Sequence, residues 1–171
     1  MSTTRIVTRN AYIRSTSAEM LENRQVEFVI STPSVDSHKT IFTKDGWSLD
    51  RYIKNPIVCY QHRSHTDNPD DVIGTSEVFF DGENLIGRVT FEDAETNPKA
   101  EKVFRKVQNG TLKMASVGAQ VEQARLGDKE KGEDPNVLYF TRQELVEWSI
   151  VTAGSNPDAH KRNQQSLEEI R

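Results

Sequence analysis

Ser116, His62 and Glu147 stand in three separate segments and supply the residue types of a serine-protease triad. His62 closes the run Asn55-Pro56-Ile57-Val58-Cys59-Tyr60-Gln61-His62. Ser116 lies in Met114-Ala115-Ser116-Val117-Gly118, and Glu147 in Glu144-Leu145-Val146-Glu147-Trp148-Ser149. A hydroxyl attacks poorly until a base takes its proton, and the base needs a third group to hold its tautomer. Imidazole is the side chain that exchanges protons near neutral pH. Backbone N–H groups of Val117 and Gly118 are the oxyanion candidates, a contribution typically worth on the order of 3 kcal/mol. From the residues alone each member also has an ordinary reading. Ser116 could be a plain strand serine, His62 a satisfied histidine at a strand end, and Glu147 an edge glutamate facing water. His65 and Glu144 are the nearest competitors; plain alternation puts Glu144 on the face opposite Glu147.

The elements around these residues must bring them together. Arg24–Thr32 alternates, with Val26, Phe28 and Ile30 on one face of a half-buried strand. An earlier strand is expected around Arg5–Ile13. Trp47, Leu49, Tyr52 and Ile53 fall at helical spacing, and Asn55-Pro56 ends that short helix. Ile57–Gln61 then reads as a buried strand delivering His62. Val72-Ile73-Gly74 starts another extended segment. Asp81-Gly82-Glu83-Asn84 joins Glu77–Phe80 to Leu85–Phe91 as a hairpin, and Gly87 signals a bulge or a close backbone approach.

The clearest helix follows. Thr96 or Asn97 caps it, Pro98 suits its first turn, and Gly110 closes it in the left-handed conformation. Ala100, Val103, Phe104 and Val107 form its apolar stripe. Thr111–Val121 is a strand carrying Ser116, with Met114 and Gly118 on the same face. Arg125–Asn136 is a charged loop expected to be mobile. Val137–Phe140 and Glu144–Thr152 are strands, and alternation places Leu145, Glu147, Ser149 and Val151 on one face. A carboxylate among apolar neighbours needs a partner, and an imidazole would serve. Asn156-Pro157-Asp158 signals a further helix start. About seven strands and about two or three helices, without a βαβ series, predict an α+β fold or a small, mainly antiparallel β-barrel.

Composition narrows the function. The 171 residues suit one domain with a real core. The formal net charge of -4 gives no basic field, so nucleic acid is not an expected partner. The single cysteine, Cys59, sits in an apolar run and reads as a small buried hydrophobe in a reducing compartment. No apolar run has membrane-spanning length, and the N-terminus leads into no signal core, so a cytosolic protein is expected. His62-x-x-His65 with Asp67, Asp70 and Asp71 invites a metal reading. All five lie in one loop without a paired-histidine helix or a cysteine pair, so no metal and no cofactor are expected.

Asp45-Gly46-Trp47-Ser48-Leu49-Asp50-Arg51-Tyr52, Asn55-Pro56-Ile57-Val58 and His62 resemble the start of the caudoviral prohead (procapsid maturation) serine protease family. Val72-Ile73-Gly74, the Asp81-Gly82 turn, the helix ending in Asn109-Gly110, and Ser116-Val117-Gly118 follow in that family's order. Glu144-Leu145-Val146-Glu147-Trp148-Ser149-Ile150-Val151 before Ser155-Asn156-Pro157-Asp158-Ala159 resembles its closing motif. Ala119 and Gly154 depart from the pattern, where the family often has an aromatic residue and Pro-Ala-Asn.

The resemblance implies a β-barrel related to the herpesvirus assemblins, with the protease domain over residues 24–160. Residues 1–23 would be an N-terminal extension or first strand, and 161–171 a flexible tail. It implies a Ser116–His62–Glu147 endopeptidase acting inside the phage procapsid in the bacterial host cytoplasm. Its partners would be the major capsid protein or a scaffold protein, with cleavage of the chain itself and self-association left open. The alternative is an inert capsid-assembly or scaffold-binding module of the same fold.

Overall fold

The computed structural model describes residues 6–15 through their backbone, and residues 17–36 and 38–153. The helix start at Asn156, the 161–171 tail and Gly154 lie outside the described residues. The chain order is β1 (Ile6–Ser15), α1 (Ala18–Glu22), β2 (Gln25–Ser31), β3 (Thr40–Phe42), β4 (Trp47–Ser48), α2 (Asp50–Lys54), β5 (Ile57–Tyr60), β6 (Val72–Asp81), β7 (Asn84–Phe91), α3 (Pro98–Gln108), β8 (Met114–Leu126) and β9 (Leu138–Val151).

Among the described residues all nine strands belong to one curled sheet in a mixed α+β fold; eight follow the order β3-β9-β5-β6-β7-β2-β1-β8, and β4 pairs with β9 off that path. β8 also pairs with β9, which links the far end of that order back to its beginning. Among the described residues, β3, β4 and β5 run parallel to β9, and the other pairings are antiparallel. The sheet thus has two more strands than expected, and part of it is parallel. β3 and β4 are three and two residues long, too short to show a period. Two pairs of segments read as separate are continuous strands, β6 and β9.

The expected helix at Trp47–Ile53 is shorter than its apolar spacing implied. Trp47 belongs to β4, and α2 begins at Asp50. Tyr52 is buried, but Ile53 is exposed. β2 is buried on both faces, since Glu27, Val29 and Ser31 are covered as well as Val26, Phe28 and Ile30. β1 pairs with β2 and with β8, and its Asn10 stands opposite Ser116.

Trp148 anchors the core. It is fully buried, and its ring lies 5.6 Å from that of Phe28. Phe28 pairs with Gly87, and a Cβ on Gly87 would stand 2.8 Å from the indole. The glycine anticipated as a bulge or close backbone approach is no bulge: β7 keeps its register there, and the indole side chain of Trp148 occupies the space a Cβ would need. The Trp148 Nε1–H donates to Ser76 Oγ at 2.8 Å, and the Tyr52 hydroxyl donates to the Ile57 carbonyl at 3.0 Å.

α3 forms where its local signals place it. Asn97 Oδ1 accepts from the N–H groups of Lys99 and Ala100, a cap worth about 1 kcal/mol. Ala100, Val103, Phe104 and Val107 are buried, with Phe104 against Phe91. Gly110 has φ 84°. The Arg125–Asn136 segment is not a loose loop. β8 runs on to Leu126, Gly127 N–H donates to the Val137 carbonyl, and Arg125 grips Glu133 through two hydrogen bonds of 2.7 and 3.0 Å. That contact and the Asp128 N–H push the Glu133 carboxyl down to about 2. The run of charges suggested a mobile loop, but Arg125 and Glu133 pair across the turn.

Candidate active site

Three adjacent strands supply the three candidate residues. β8 carries Ser116, β9 carries Glu147, and the turn after β5 carries His62. Ser116 pairs with Ser149 and Gly118 with Glu147, so all four share one face of the β8–β9 ladder. The register then slips, because Ala119 pairs with Leu145 and Val146 is skipped. This bulge corrects two expectations drawn from plain alternation. Leu145 turns inward with Trp148 and Ile150, while Glu147 and Ser149 point the other way. Glu144, opposite Gln120, falls on the Glu147 face rather than across from it. It lies 3.4 Å from Arg51 and away from His62.

β5 ends at Tyr60, and the chain reverses over β9. Gln61 and His62 both have φ 58°, and Arg63 N–H closes the turn onto the Tyr60 carbonyl at 3.2 Å. Positive φ at both central residues is the pattern of a type I′ turn, which favours asparagine and glycine. Neither is present here, so the turn stores of order 1–3 kcal/mol per residue in backbone strain. The surroundings hold it. Gln61 N–H donates to the Ile150 carbonyl at 3.0 Å. Its side-chain amide and Thr152 exchange two hydrogen bonds of 2.9 Å. His62 N–H donates to Ser149 Oγ at 3.2 Å.

The turn lays the His62 ring between the other two residues. Nδ1 lies 2.5 Å from Glu147 Oε1, and Nε2 lies 2.8 Å from Ser116 Oγ. With Glu147 ionised, Nδ1–H donates to the carboxylate. Nε2 is then left to accept from the serine hydroxyl. Glu147 is buried, and its second oxygen accepts from the Ser149 hydroxyl at 2.7 Å. Ser116 is 1% exposed, whereas the His62 side chain is 29% exposed and forms the open side of the site. Gly118 makes the arrangement fit, because a Cβ there would stand 2.6 Å from Glu147 Oε1.

The other candidates lie elsewhere. His65 is exposed in the following loop. Cys59 is fully buried, and burial pushes its thiol up to about 12, so it stays protonated. Of the residues that invited a metal reading, Asp71 is committed to an ion pair with Lys99 and accepts from Thr66 Oγ1 at 2.6 Å. The Lys99 hydrogen bond, then that of Thr66, holds the Asp71 carboxyl below its usual range. No group of metal-binding side chains occurs among the described residues. Val117 and Gly118 pair with β1 on one side and β9 on the other. Backbone N–H groups in such a strand point along the sheet at their neighbours.

No local pattern signals the groups that hold the loop between His62 and β6. Asn97, fully buried, sends its side-chain amide to the carbonyls of Asp70 and Val72 and to Glu92. Lys99 reaches Asp71 at the end of the loop, and its ammonium lies 5.2 Å from the centre of the Tyr60 ring at the beginning. Ser149 was visible only as a strand residue two places beyond Glu147.

A serine, a histidine and a glutamate in continuous hydrogen-bond contact on a curled α+β sheet have the geometry of a serine hydrolase. The model of the family described as Caudovirus prohead serine protease matches residues 48–171, most of the chain, and the chain belongs to that family. Among solved structures it is similar to the bacteriophage T4 capsid assembly protease, gp21. The TM-score is 0.63 over 90% of this chain and 100% of that one. At 11% identity this similarity speaks for the fold alone. No curated protein sequence matches.

Proposed function

We propose that the chain is a prohead maturation serine endopeptidase acting through Ser116, His62 and Glu147. The observation that carries this reading is the unbroken contact from Glu147 through His62 to Ser116. Nε2 of His62 takes the Ser116 proton as Oγ attacks a peptide carbonyl carbon. The tetrahedral intermediate collapses, and the same nitrogen returns the proton to the departing amine. Water, deprotonated in turn by His62, hydrolyses the acyl-enzyme and restores the serine. Glu147 fixes the tautomer and stabilises the imidazolium.

The substrates on this reading are the scaffold protein or the scaffold arm of the major capsid protein, met inside the procapsid, and the chain itself. The curled sheet, with β8 paired back onto β9, supports the expectation of an assemblin-related barrel. Val117 and Gly118 fit the oxyanion role poorly, because both flanking strands already face their N–H groups. That observation and the low exposure of Ser116 favour the second reading, an inert assembly module of the same fold.

Co-expression with the capsid or scaffold protein decides between the two. Intact masses of both chains are compared for the wild type and Ser116→Ala. Serine-dependent truncation is expected; equal cleavage by the variant would remove the nucleophile, and intact chains in assembled particles would favour the inert module.

A further inference from the structure

We propose that Ser149 is a positioning residue for the His62–Glu147 pair, a role that rests on the triad reading above. Its side chain is fully buried, and two strands fix its place. It stands opposite Ser116 across β8–β9 and opposite Cys59 across β5–β9. Its one hydroxyl proton goes to Glu147 Oε2 at 2.7 Å, the oxygen that His62 does not use. Its lone pair accepts the backbone N–H of His62 at 3.2 Å.

Both contacts matter to the geometry. A carboxylate held at one oxygen can still rotate; held at both, it presents Oε1 to Nδ1 in one orientation. A histidine in the left-handed region keeps its ring over β9 only while its backbone is tied down, and the Ser149 hydroxyl is one of the ties. One side chain therefore sets the acid and the base together. Alanine here would remove both contacts and add no bulk.

The test uses the full-length chain and a fluorophosphonate, with labelling of Ser116 timed by intact mass. A proton NMR spectrum follows the His62 Nδ1–H resonance, and thermal melting serves as the fold control. Wild type labels at Ser116. Ser149→Ala slows labelling on the order of 10²-fold, the scale of loss for a misplaced catalytic group. Its downfield Nδ1–H signal is lost, while melting stays cooperative. Ser149→Cys, with a weak donor and acceptor of similar shape, falls between the two. Labelling of Ser149→Ala at the wild-type rate, with the Nδ1–H signal intact, overturns the proposal. If that variant does not fold, a wild-type rate in Ser149→Cys does the same. A wild type that labels no more than Ser116→Ala overturns the triad reading itself and this inference with it.

Discussion

A Cβ on Gly118 would stand 2.6 Å from Glu147 Oε1 and 3.3 Å from its Cγ. The carboxylate could move aside, but its position is set by His62 and Ser149, so moving breaks those bonds. Gly118→Ala is expected to fold, with melting lowered by overpacking of about 1–3 kcal/mol. Ser116 labelling should slow on the order of 10²-fold. An unchanged labelling rate would mean that the carboxylate is not needed where it stands. At this scale the sequence was partly legible. Residue types and the order of motifs singled out Ser116, His62 and Glu147, which the fold brings into contact. The face of Glu147 was not legible, because one skipped residue, Val146, reverses the alternation. Nor was the left-handed turn, since Gln61-His62 carries none of the glycine or asparagine that normally announces one.

Between His62 and β6 runs a loop whose ends are both held by α3. Asn97 is its N-cap and Lys99 lies in its first turn, and their partners are Asp70, Val72, Asp71 and Tyr60. The helix itself was legible because cap, stripe and stop are local signals. Its link to the loop depends on side chains meeting across 25 positions or more, which no local pattern records. The Asp71 carboxyl is held below its usual range by Lys99 and Thr66. Its folded value is lower than its unfolded one, so the ionised pair stabilises the fold above the ordinary aspartate pKa of about 4. That contribution fades as pH falls through the lower folded value. Stability of wild type should therefore fall more steeply in this acid window than that of Asp71→Asn, measured by denaturant unfolding at a series of pH values. Parallel curves would show that the pair does not couple to folding.

The whole molecule is organised on Trp148 and on β9. A Cβ on Gly87 would press on the indole at 2.8 Å, and this rigid ring is fully buried beside Phe28. Gly87→Ala is expected to cost about 1–3 kcal/mol, lowering the melting temperature by about 2–4 °C per kcal/mol. A melting curve that matches wild type would mean the indole has room to shift. The α+β class was legible from the alternation of strands and the single strong helix. The parallel pairings of β3, β4 and β5 were not, since each joins segments about 90 to 100 residues apart. β9 is also the last described strand, and it lies between the strand of the serine and the strand of the histidine. A ribosome that has released the chain only as far as β8 has delivered Ser116 and His62, but not the strand that sets them side by side. The site is therefore timed by translation: nascent chains stalled before residue 138 should leave a fluorophosphonate unreacted, and a complete chain should consume it. On the proposed reading, the order of synthesis alone would keep an unfinished chain silent.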